Sequence, residues 1–338
     1  MKHIGKPALL ALFWLLAAAA PAHAQQTPVI GFFRQNWQMI NPASMDLWSY
    51  RDIGGWRRVS MLTLSHRSQW VGSGIEGAPV FTMASFEHTP EINKSGEYSQ
   101  PYKWGVVAYR DQTDAISTTG LNLTGSYFWS AGDGYAHIGA GLGAVQYGVD
   151  ADKLRAADET DPIVADAVQT RYLVDFSIGA LYRDDRQYYG ISMPQTLQEF
   201  IPNSARRTHF YGVAGWIFDT NDEAVKTELT TWLRYTPGLA YRTIGTLPMS
   251  ADVVGRVFFN EKYRLGKNVM NTISWWAGGG VGTALTAQVE FGAEIERGWE
   301  NFDKRNCFRI SLIYNRAFAQ RTAVLGNSLE LAVATAWN

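Results

Sequence analysis

The chain has 338 residues, which is enough for one large barrel or two ordinary domains. Aromatic residues make up 13% of it and charged residues only 18%, against about 25% in an average soluble domain, and this balance suits an outer wall that contacts lipid. The formal net charge of -1 gives no indication of a basic surface that would bind nucleic acid. The single cysteine, Cys307, excludes an internal disulfide framework and a cysteine-based metal cluster.

The first 24 residues have the pattern of an export signal. Lys2 and Lys6 precede an apolar run over residues 8–20, and Ala22 and Ala24 form a small-x-small cleavage site. We expect cleavage to leave Gln25 as the first residue. The apolar run is too short to cross a bilayer as a helix, and no later stretch approaches the roughly 18 apolar residues that such a helix needs.

Residues 25–55 show no clear period. We predict that they form an N-terminal periplasmic or plug-like segment that packs against or into the rest of the chain. Asn41, Pro42 and Ala43 predict a turn within it, because Asn-Pro marks a turn. The sequence is therefore divided into a signal peptide at 1–24, this leading segment at 25–55 and a barrel at 56–338.

Amphipathic strands follow one another from residue 57 onward. In residues 171–183 the even positions are all apolar and the odd positions mostly are not, which is the side-chain period of a strand. Tyr172 and Tyr182 stand at the two ends of this apolar face, the order expected where aromatic rings meet two membrane interfaces. The strands are predicted at 57–67, 79–88, 103–110, 119–130, 135–148, 171–183, 188–193, 207–218, 225–235, 250–260, 268–278, 285–296, 308–315 and 329–337.

One strand of this kind would also fit a soluble sandwich, so the repetition decides between the two folds. A run of amphipathic strands that leaves no unpaired backbone edge in lipid must close into a barrel. The sequence therefore predicts an all-β protein, a transmembrane antiparallel β-barrel of about 14 strands. Its lipid-facing residues are predicted to include Val174, Phe176, Ile178, Leu285, Val289, Phe291, Ile310 and Leu312.

The other face of the strands should line a lumen that carries charges of both signs. Buried charges are tolerated only when they are paired or hydrated, so a bridged interior is favoured over an ion-selective pore. The predicted lumen charges are Arg171, Asp175, Lys226, Glu228, Arg234, Arg256, Glu290, Glu294 and Arg309. On the fifth strand Gly139, Gly141 and Gly143 share this face, which predicts a close approach of backbone or tight curvature and not a dinucleotide loop.

No residue is assigned a catalytic, cofactor-binding or metal-ligating role, and no cofactor is expected. The four histidines after the signal peptide, at positions 66, 88, 137 and 209, do not fall in the zinc-protease or serine-hydrolase patterns. The acidic residues of 150–166 lack the order of a calcium loop, which favours a solvated loop.

A specific motif lies in residues 65–85, after the early Asn-Pro-Ala. It contains Arg-x-Gln-Trp, then a glycine-rich turn, then Gly-Ala-Pro leading into a strand. This arrangement resembles the PorP/SprF family of outer-membrane proteins of the type IX secretion and gliding machinery of Bacteroidetes, and residues 326–331 are similar to the last strand of that family. The matching positions are Asn41, Pro42, Ala43, Arg67, Gln69, Trp70, Gly72, Gly77, Ala78 and Pro79.

The resemblance implies a cell outer-membrane barrel that supports secretion or surface anchoring of exported proteins. The partners that it implies are outer-membrane lipids, periplasmic type IX secretion components and a secreted cell-surface protein. A channel for hydrophobic small molecules is the alternative, because such channels also carry an early Asn-Pro-Ala within an N-terminal plug. A barrel enzyme is the weakest of the three interpretations.

Strand counting also predicts which connections share an end of the barrel. The short turns at 131–134, 184–187 and 219–223 should face the periplasm, and the longer connections at 149–170, 194–206 and 236–249 should face outward. The connection at 89–102 is an exception, because it is long and lies on the periplasmic side. We predict that it forms, with residues 25–55, the surface that meets secretion machinery.

Overall fold

Fourteen antiparallel strands close into one barrel in the computed structural model, which describes residues 36–44, 59–89, 101–150, 171–194, 196, 208–220, 224–235, 249–264, 269–283, 286–299, 305–318 and 326–337. The predicted all-β barrel and its number of strands are confirmed. The signal peptide and the boundary at residue 55 lie outside the described residues and stay predictions. The helix α1 (Trp37–Ile40) is one turn long, and the described residues contain no helix with the length and apolar character needed to cross a membrane.

Each strand pairs with its two neighbours in chain order, and β1 also pairs with β14. The strands are β1 (Val59–Gln69), β2 (Val80–Thr89), β3 (Tyr102–Thr113), β4 (Ile116–Ala131), β5 (Gly134–Val149), β6 (Arg171–Arg183), β7 (Gln187–Met193), β8 (Phe210–Asp219), β9 (Val225–Tyr235), β10 (Met249–Arg264), β11 (Val269–Gly282), β12 (Thr286–Trp299), β13 (Arg305–Ala317) and β14 (Asn327–Trp337).

The observed strand limits agree best where the alternation of the sequence is strongest. The predicted strand at 171–183 coincides with β6. By contrast, β10 continues four residues beyond its predicted end at 260, because its pairing with β11 extends to Arg264 opposite Met270. A partner strand can thus hold backbone in the ladder after the apolar pattern has faded.

The barrel closes where β1 pairs with β14, from Ser60 opposite Trp337 to Gln69 opposite Ser328. Closure gives every strand two hydrogen-bonded neighbours, which lipid requires. We call the end marked by Ser60 and Trp337 the terminal end, and the end marked by Gln69 and Ser328 the loop end.

The connections share ends as strand counting predicts. The strands flanking 131–134, 184–187 and 219–223 turn at the terminal end, and the strands flanking 149–170 and 236–249 turn at the loop end. Thr89 and Tyr102 also lie at the terminal end, whereas residues 90–100 are outside the described part of the chain. The assignment of the terminal end to the periplasm stays a prediction.

The outer face of the wall is apolar. Leu142 is 59% exposed and Phe291 is 55% exposed although both lie in mid-strand. Trp104 and Trp337 lie near the terminal end, and Tyr235 lies near the loop end. The predicted lipid-facing residues are confirmed as exposed, apart from Leu285, which is not described: they are Val174, Phe176, Ile178, Val289, Phe291, Ile310 and Leu312.

The wall is shortest at β7, which has seven residues. Its pairing with β6 covers six residue pairs, from Ile178 opposite Met193 to Arg183 opposite Tyr188. The seam between β1 and β14, in comparison, covers ten pairs. The β7–β8 seam also covers six pairs, so contacts from inside the lumen can add most to wall stability at the two seams of β7.

Candidate functional site: the lumen segment and the first hairpin

Residues 36–44 lie inside the barrel, and we call them the lumen segment. They begin with α1 and then turn at the Asn-Pro-Ala motif, as the sequence predicts. The Asn41 side-chain oxygen accepts a hydrogen bond from the Ala43 amide at 2.9 Å, and the Asn41 carbonyl accepts one from the Ser44 amide at 2.9 Å. Asn41 thus stabilises the turn with its own side chain, as Asn does in Asx-turns.

The same Asn41 side chain binds the barrel wall. Its amide nitrogen lies 3.1 Å from the Ala180 carbonyl oxygen on β6 and 3.4 Å from the Ile191 carbonyl oxygen on β7. Ala180 and Ile191 are paired across the β6–β7 seam. One buried amide therefore contacts both strands of a seam that, like the β7–β8 seam, has only six residue pairs.

Glycine makes this approach possible. A Cβ atom at Gly139 would overlap the backbone of Pro42 and Ala43, and one at Gly179 would overlap the Asn41 side chain. The close backbone approach predicted from the glycines of the fifth strand is confirmed at Gly139. No side chain larger than hydrogen fits there while the lumen segment is in place.

Trp37 anchors the segment in an aromatic pocket of the wall. Its ring lies 5.4 Å from the ring of Tyr188 and 5.3 Å from the ring of Trp232, in edge-to-face geometry in both cases. Edge-to-face aromatic pairs are worth about 0.5–1.5 kcal/mol each beyond their burial. Trp37 is only 4% exposed, so its buried side chain packs the lumen segment against β7 and β9.

The opposite side of the lumen segment contacts the wall of β1 to β4. Gln38 donates a hydrogen bond to the Thr124 hydroxyl at 2.7 Å, and Asn36 accepts one from the Ser65 hydroxyl at 3.1 Å. Lys103 donates to the Ser44 carbonyl and forms a 2.9 Å ion pair with Glu87. The segment therefore spans the lumen from one wall to the other.

The lumen charges beside the segment are paired. The Arg256 guanidinium lies 2.8 Å from Glu290 and 3.7 Å from Glu228, and all three side chains are buried. Tyr188 donates a 2.7 Å hydrogen bond to Glu228, so this network also holds the ring that packs on Trp37. The favoured bridged interior is confirmed for these residues, because each buried charge has a partner of opposite sign.

The remaining predicted lumen charges differ in their positions and partners. Arg234 on β9 is half-buried. Arg309 and Glu294 form an ion pair of 2.6 Å, and Asp175 is buried at 7% exposure. Lys226 lies at the terminal end, where it forms a 3.6 Å ion pair with the exposed Asp219. The side chain of Arg171 is outside the described residues.

The Arg-x-Gln-Trp to Gly-Ala-Pro motif forms the hairpin between β1 and β2, which we call the first hairpin. Arg67 makes a 3.2 Å ion pair with Glu330 on β14. The Trp70 amide donates to the Asn327 carbonyl at 2.6 Å, and the Trp70 ring covers Gly326, where a side chain would overlap it. The hairpin therefore joins β1 to β14 at the loop end, where the barrel closes.

Gly-Ala-Pro fixes the other side of the first hairpin. The Pro79 carbonyl accepts a hydrogen bond from the Gln69 amide at 2.9 Å, and the Gly77 carbonyl accepts one from the Asp114 amide at 3.0 Å. Gly77 has φ +74°, a conformation that glycine adopts at no steric cost. Ala78 lies between these two contacts, so Gly-Ala-Pro connects the first hairpin both to the end of β1 and to the turn between β3 and β4.

The two halves of the motif lie in different places. Asn41, Pro42 and Ala43 act inside the lumen, and the remaining motif residues act at the loop end. Sequence reasoning missed the residues that receive the lumen segment, namely Lys103, Glu87, Tyr188 and Trp232. Their only signal is a polar or aromatic side chain on an inward position, which many strands share. In the described part of the chain, no group of three His, Cys, Asp or Glu side chains is placed to hold a metal ion.

Comparison of the chain with known protein families gives a match. Residues 22–314 match the family model of the type IX secretion system membrane protein PorP/SprF. No curated protein matches the chain.

Several solved structures of bacterial barrels are similar. A FadL homologue from Pseudomonas aeruginosa has 10% identity and a TM-score of 0.44, over 88% of this chain and 92% of that chain. The toluene transporter TodX of P. putida has 9% identity and a TM-score of 0.42, over 89% and 93%. The translocator domain of the autotransporter NalP from Neisseria meningitidis has 11% identity and a TM-score of 0.32, over 86% and 90%.

The family match covers most of the chain and includes both halves of the motif. The closed barrel with an apolar outer face is the structure that such a membrane protein requires. The chain belongs to the PorP/SprF family of type IX secretion system membrane proteins and is an outer-membrane β-barrel.

Proposed function

We propose that this barrel supports the secretion or surface anchoring of one or a few exported proteins through contacts with periplasmic components of the type IX machinery. Family membership supports the system, and the lumen segment supports the mode of action. The observation that carries the proposal is a lumen spanned by a segment fixed to both walls, by Gln38 on one side and by Trp37 and Asn41 on the other. Such a barrel is suited to hold and present partners.

A hydrophobic small molecule that crossed the lumen through the position of residues 36–44 would need the lumen segment to move. That movement would break the Asn41 contacts with β6 and β7 and expose the buried Trp37 ring. Each lost buried hydrogen bond costs about 1–3 kcal/mol when its partner stays unsatisfied. The structure therefore favours the secretion role over the transport role.

A deletion strain separates the two functions. We expect the strain to lose delivery or surface retention of one or a few exported proteins, measured by proteomics of outer membranes and culture medium. Entry of large antibiotics should stay unchanged, because the general barrier does not depend on this barrel. A strain with normal exported proteins that no longer takes up a hydrophobic solute would instead establish the channel function.

The surface that meets the machinery is proposed to combine the connection at 89–102 with the leading segment at 25–55. Two described contacts support this pairing. Thr89 and Tyr102 lie at the terminal end, and Lys103, directly after Tyr102, donates to the carbonyl of Ser44 at the end of the lumen segment. The described ends of the two segments therefore lie close together at the terminal end, which supports the proposed surface.

Shortening residues 91–100 tests this surface. The shortened protein should assemble normally but should no longer co-purify with its periplasmic partners. A cysteine within 91–100, in a Cys307→Ser background, should resist an impermeant thiol reagent on intact cells. Cysteines at Asp133 and Ser73 report the terminal and loop ends as controls. Labelling at 91–100 together with Asp133, or retained partners after shortening, would show that the proposed surface is wrong.

A further inference from the structure

The outer wall contains an apolar depression of about 610 Å³ on strands β4 to β9. One row of its lining runs across the strands as Ile138, Ala180, Ile191, Gly212 and Leu233, each paired with the next. Directly paired residues point to the same face of a sheet. Ile138 is 53% exposed and Ile191 is 69% exposed, so this row faces the lipid.

The depression exists because small residues form its floor. Ala136, Ala180, Gly212 and Ala214 stand where neighbouring strands carry large side chains. Its volume falls within the range of about 300–1,000 Å³ that is common for small-molecule sites. Small residues on a membrane-facing surface allow another group to approach the backbone closely.

The depression is polar at one end only. Its second row, nearer the terminal end, contains the hydroxyl groups of Tyr182, Tyr189 and Thr231, whereas the first row is entirely apolar. An occupant that matches this arrangement has a hydrocarbon portion directed towards mid-membrane and a polar group at the terminal end. A lipid has that polarity, and a membrane-spanning protein segment does not.

The turn between β6 and β7 holds the two tyrosines that border the depression. Tyr189 donates a 2.8 Å hydrogen bond to Gln187, and Tyr182 donates one to Asp184. Asp185 and Arg186, between these two acceptors, are exposed at the same end. The border of the depression is therefore fixed in place and lies next to a pair of opposite charges.

We propose that this depression binds a zwitterionic phospholipid. One acyl chain lies along the small residues, the phosphate meets Arg186 and the ammonium group meets Asp185. The charges around the turn favour a zwitterionic headgroup over an anionic one, because Asp133, Asp184 and Asp185 outnumber the exposed Arg186. This site is independent of the secretion function and lies on the outer wall, behind the wall contacts of Asn41.

Native mass spectrometry tests the site. The full-length barrel is mixed with phosphatidylethanolamine in detergent, and the lipid that stays bound after release from the detergent is measured. Wild type should retain one phosphatidylethanolamine, and Ala214→Phe should reduce the retained fraction at least tenfold by filling the depression. Ala277→Phe, an outward alanine on β11, is the matched control and should retain the lipid as wild type does. Arg186→Gln should weaken retention several-fold, and Arg297→Gln should not.

Folding of every variant is verified by heat-modifiable gel mobility, and Ala180→Leu provides a second way to fill the depression. Equal retention in wild type and in both filled variants would overturn the site. Equal retention of phosphatidylglycerol and phosphatidylethanolamine by wild type would overturn the headgroup assignment. A polypeptide that replaces the lipid in wild type and is lost in Ala214→Phe would show a protein-binding surface instead, and would also overturn the proposal.

Discussion

The barrel has two seams that the family motif reinforces, and it reinforces them by different means. The β1–β14 seam has ten residue pairs and is fastened at the loop end by the first hairpin, through the Arg67–Glu330 ion pair and the Trp70 contacts. The β6–β7 seam has six pairs and is held from inside the lumen by the Asn41 amide.

The difference shows that the two halves of the motif serve separate structural tasks. The first hairpin closes the barrel, a task that remains even if the lumen is empty. The Asn-Pro-Ala turn couples the lumen segment to the shortest part of the wall, so that the state of the segment and the stability of the β6–β7 seam depend on each other. A substitution in one half of the motif should therefore destabilise the seam that this half contacts and leave the other seam unchanged.

The largest expected effect comes from Arg67→Met. The change removes the Arg67 cation from the Glu330 carboxylate, which is buried at 1% exposure, and removal of one partner of a buried pair costs about 3–5 kcal/mol. Urea unfolding in detergent measures the loss, and amide exchange should increase along β1 and β14. The double variant Arg67→Met with Glu330→Gln should recover much of the stability; no recovery would show that the charge is not the cause.

A charge on the lipid-facing wall, away from both seams, should have the next largest effect. Val289→Arg places a cation near mid-membrane at a cost of about 2–4 kcal/mol, whereas Gln288→Arg on the lumen face should be milder. Heat-modifiable gel mobility measures assembly. Equal losses at the two positions would contradict the assignment of the faces. Ser177, the corresponding lumen position on β6, is unsuitable as a mild control because it is only 2% exposed in a packed interior.

Asn41→Ala should have a moderate effect that is confined to the other seam. It removes the donor to the Ala180 and Ile191 carbonyls, at about 0.5–1.5 kcal/mol for each hydrogen bond. Amide exchange should increase in β6 and β7 and stay unchanged in β1 and β14, which is the reverse of the Arg67 result. Gln38→Ala, which loosens the same segment from the opposite wall, is the control. Faster amide exchange at both seams in Asn41→Ala would contradict the inference that the two halves of the motif stabilise different seams.

Asp184→Ala should have the smallest effect, at the turn that ends the β6–β7 seam. Partial burial alone raises the pKa of Asp184, but hydrogen bonds from the Arg186 and Gln187 amides outweigh it, and the pKa is lower than its ordinary value. A carboxyl group whose pKa is lower in the folded state than in the unfolded state stabilises the fold at pH values above the unfolded pKa of about 3.9. This stabilisation is lost as the pH falls through the folded-state pKa.

The urea midpoints of wild type and Asp184→Ala should therefore differ slightly at pH 7 and approach each other in strong acid. Asp185→Ala, an exposed neighbour in the same turn, is the matched control and should follow wild type at both pH values. A difference between wild type and Asp184→Ala that grows with acidity would contradict the direction of the pKa shift.

Much of the fold could be predicted because alternation is a local property. The face of β6 follows directly from the order of its residues, and the same pattern predicted that Phe291 and Ile310 would be exposed. The motif residues were also identified from sequence, but their division between two sites was not. Asn41 and Arg67 are 26 positions apart, and nothing local indicates that one binds β6 and β7 while the other binds β14.

The sequence by itself determined the class of fold, the number of strands and the face of each strand, since the period of two and the turn residues are encoded within short stretches. Only the tertiary structure decided which walls the lumen segment joins. Gly139 and Tyr188 contact it because the barrel curvature brings β5, β7 and β9 to one side of the lumen, and contacts of that kind depend on closure of the whole chain.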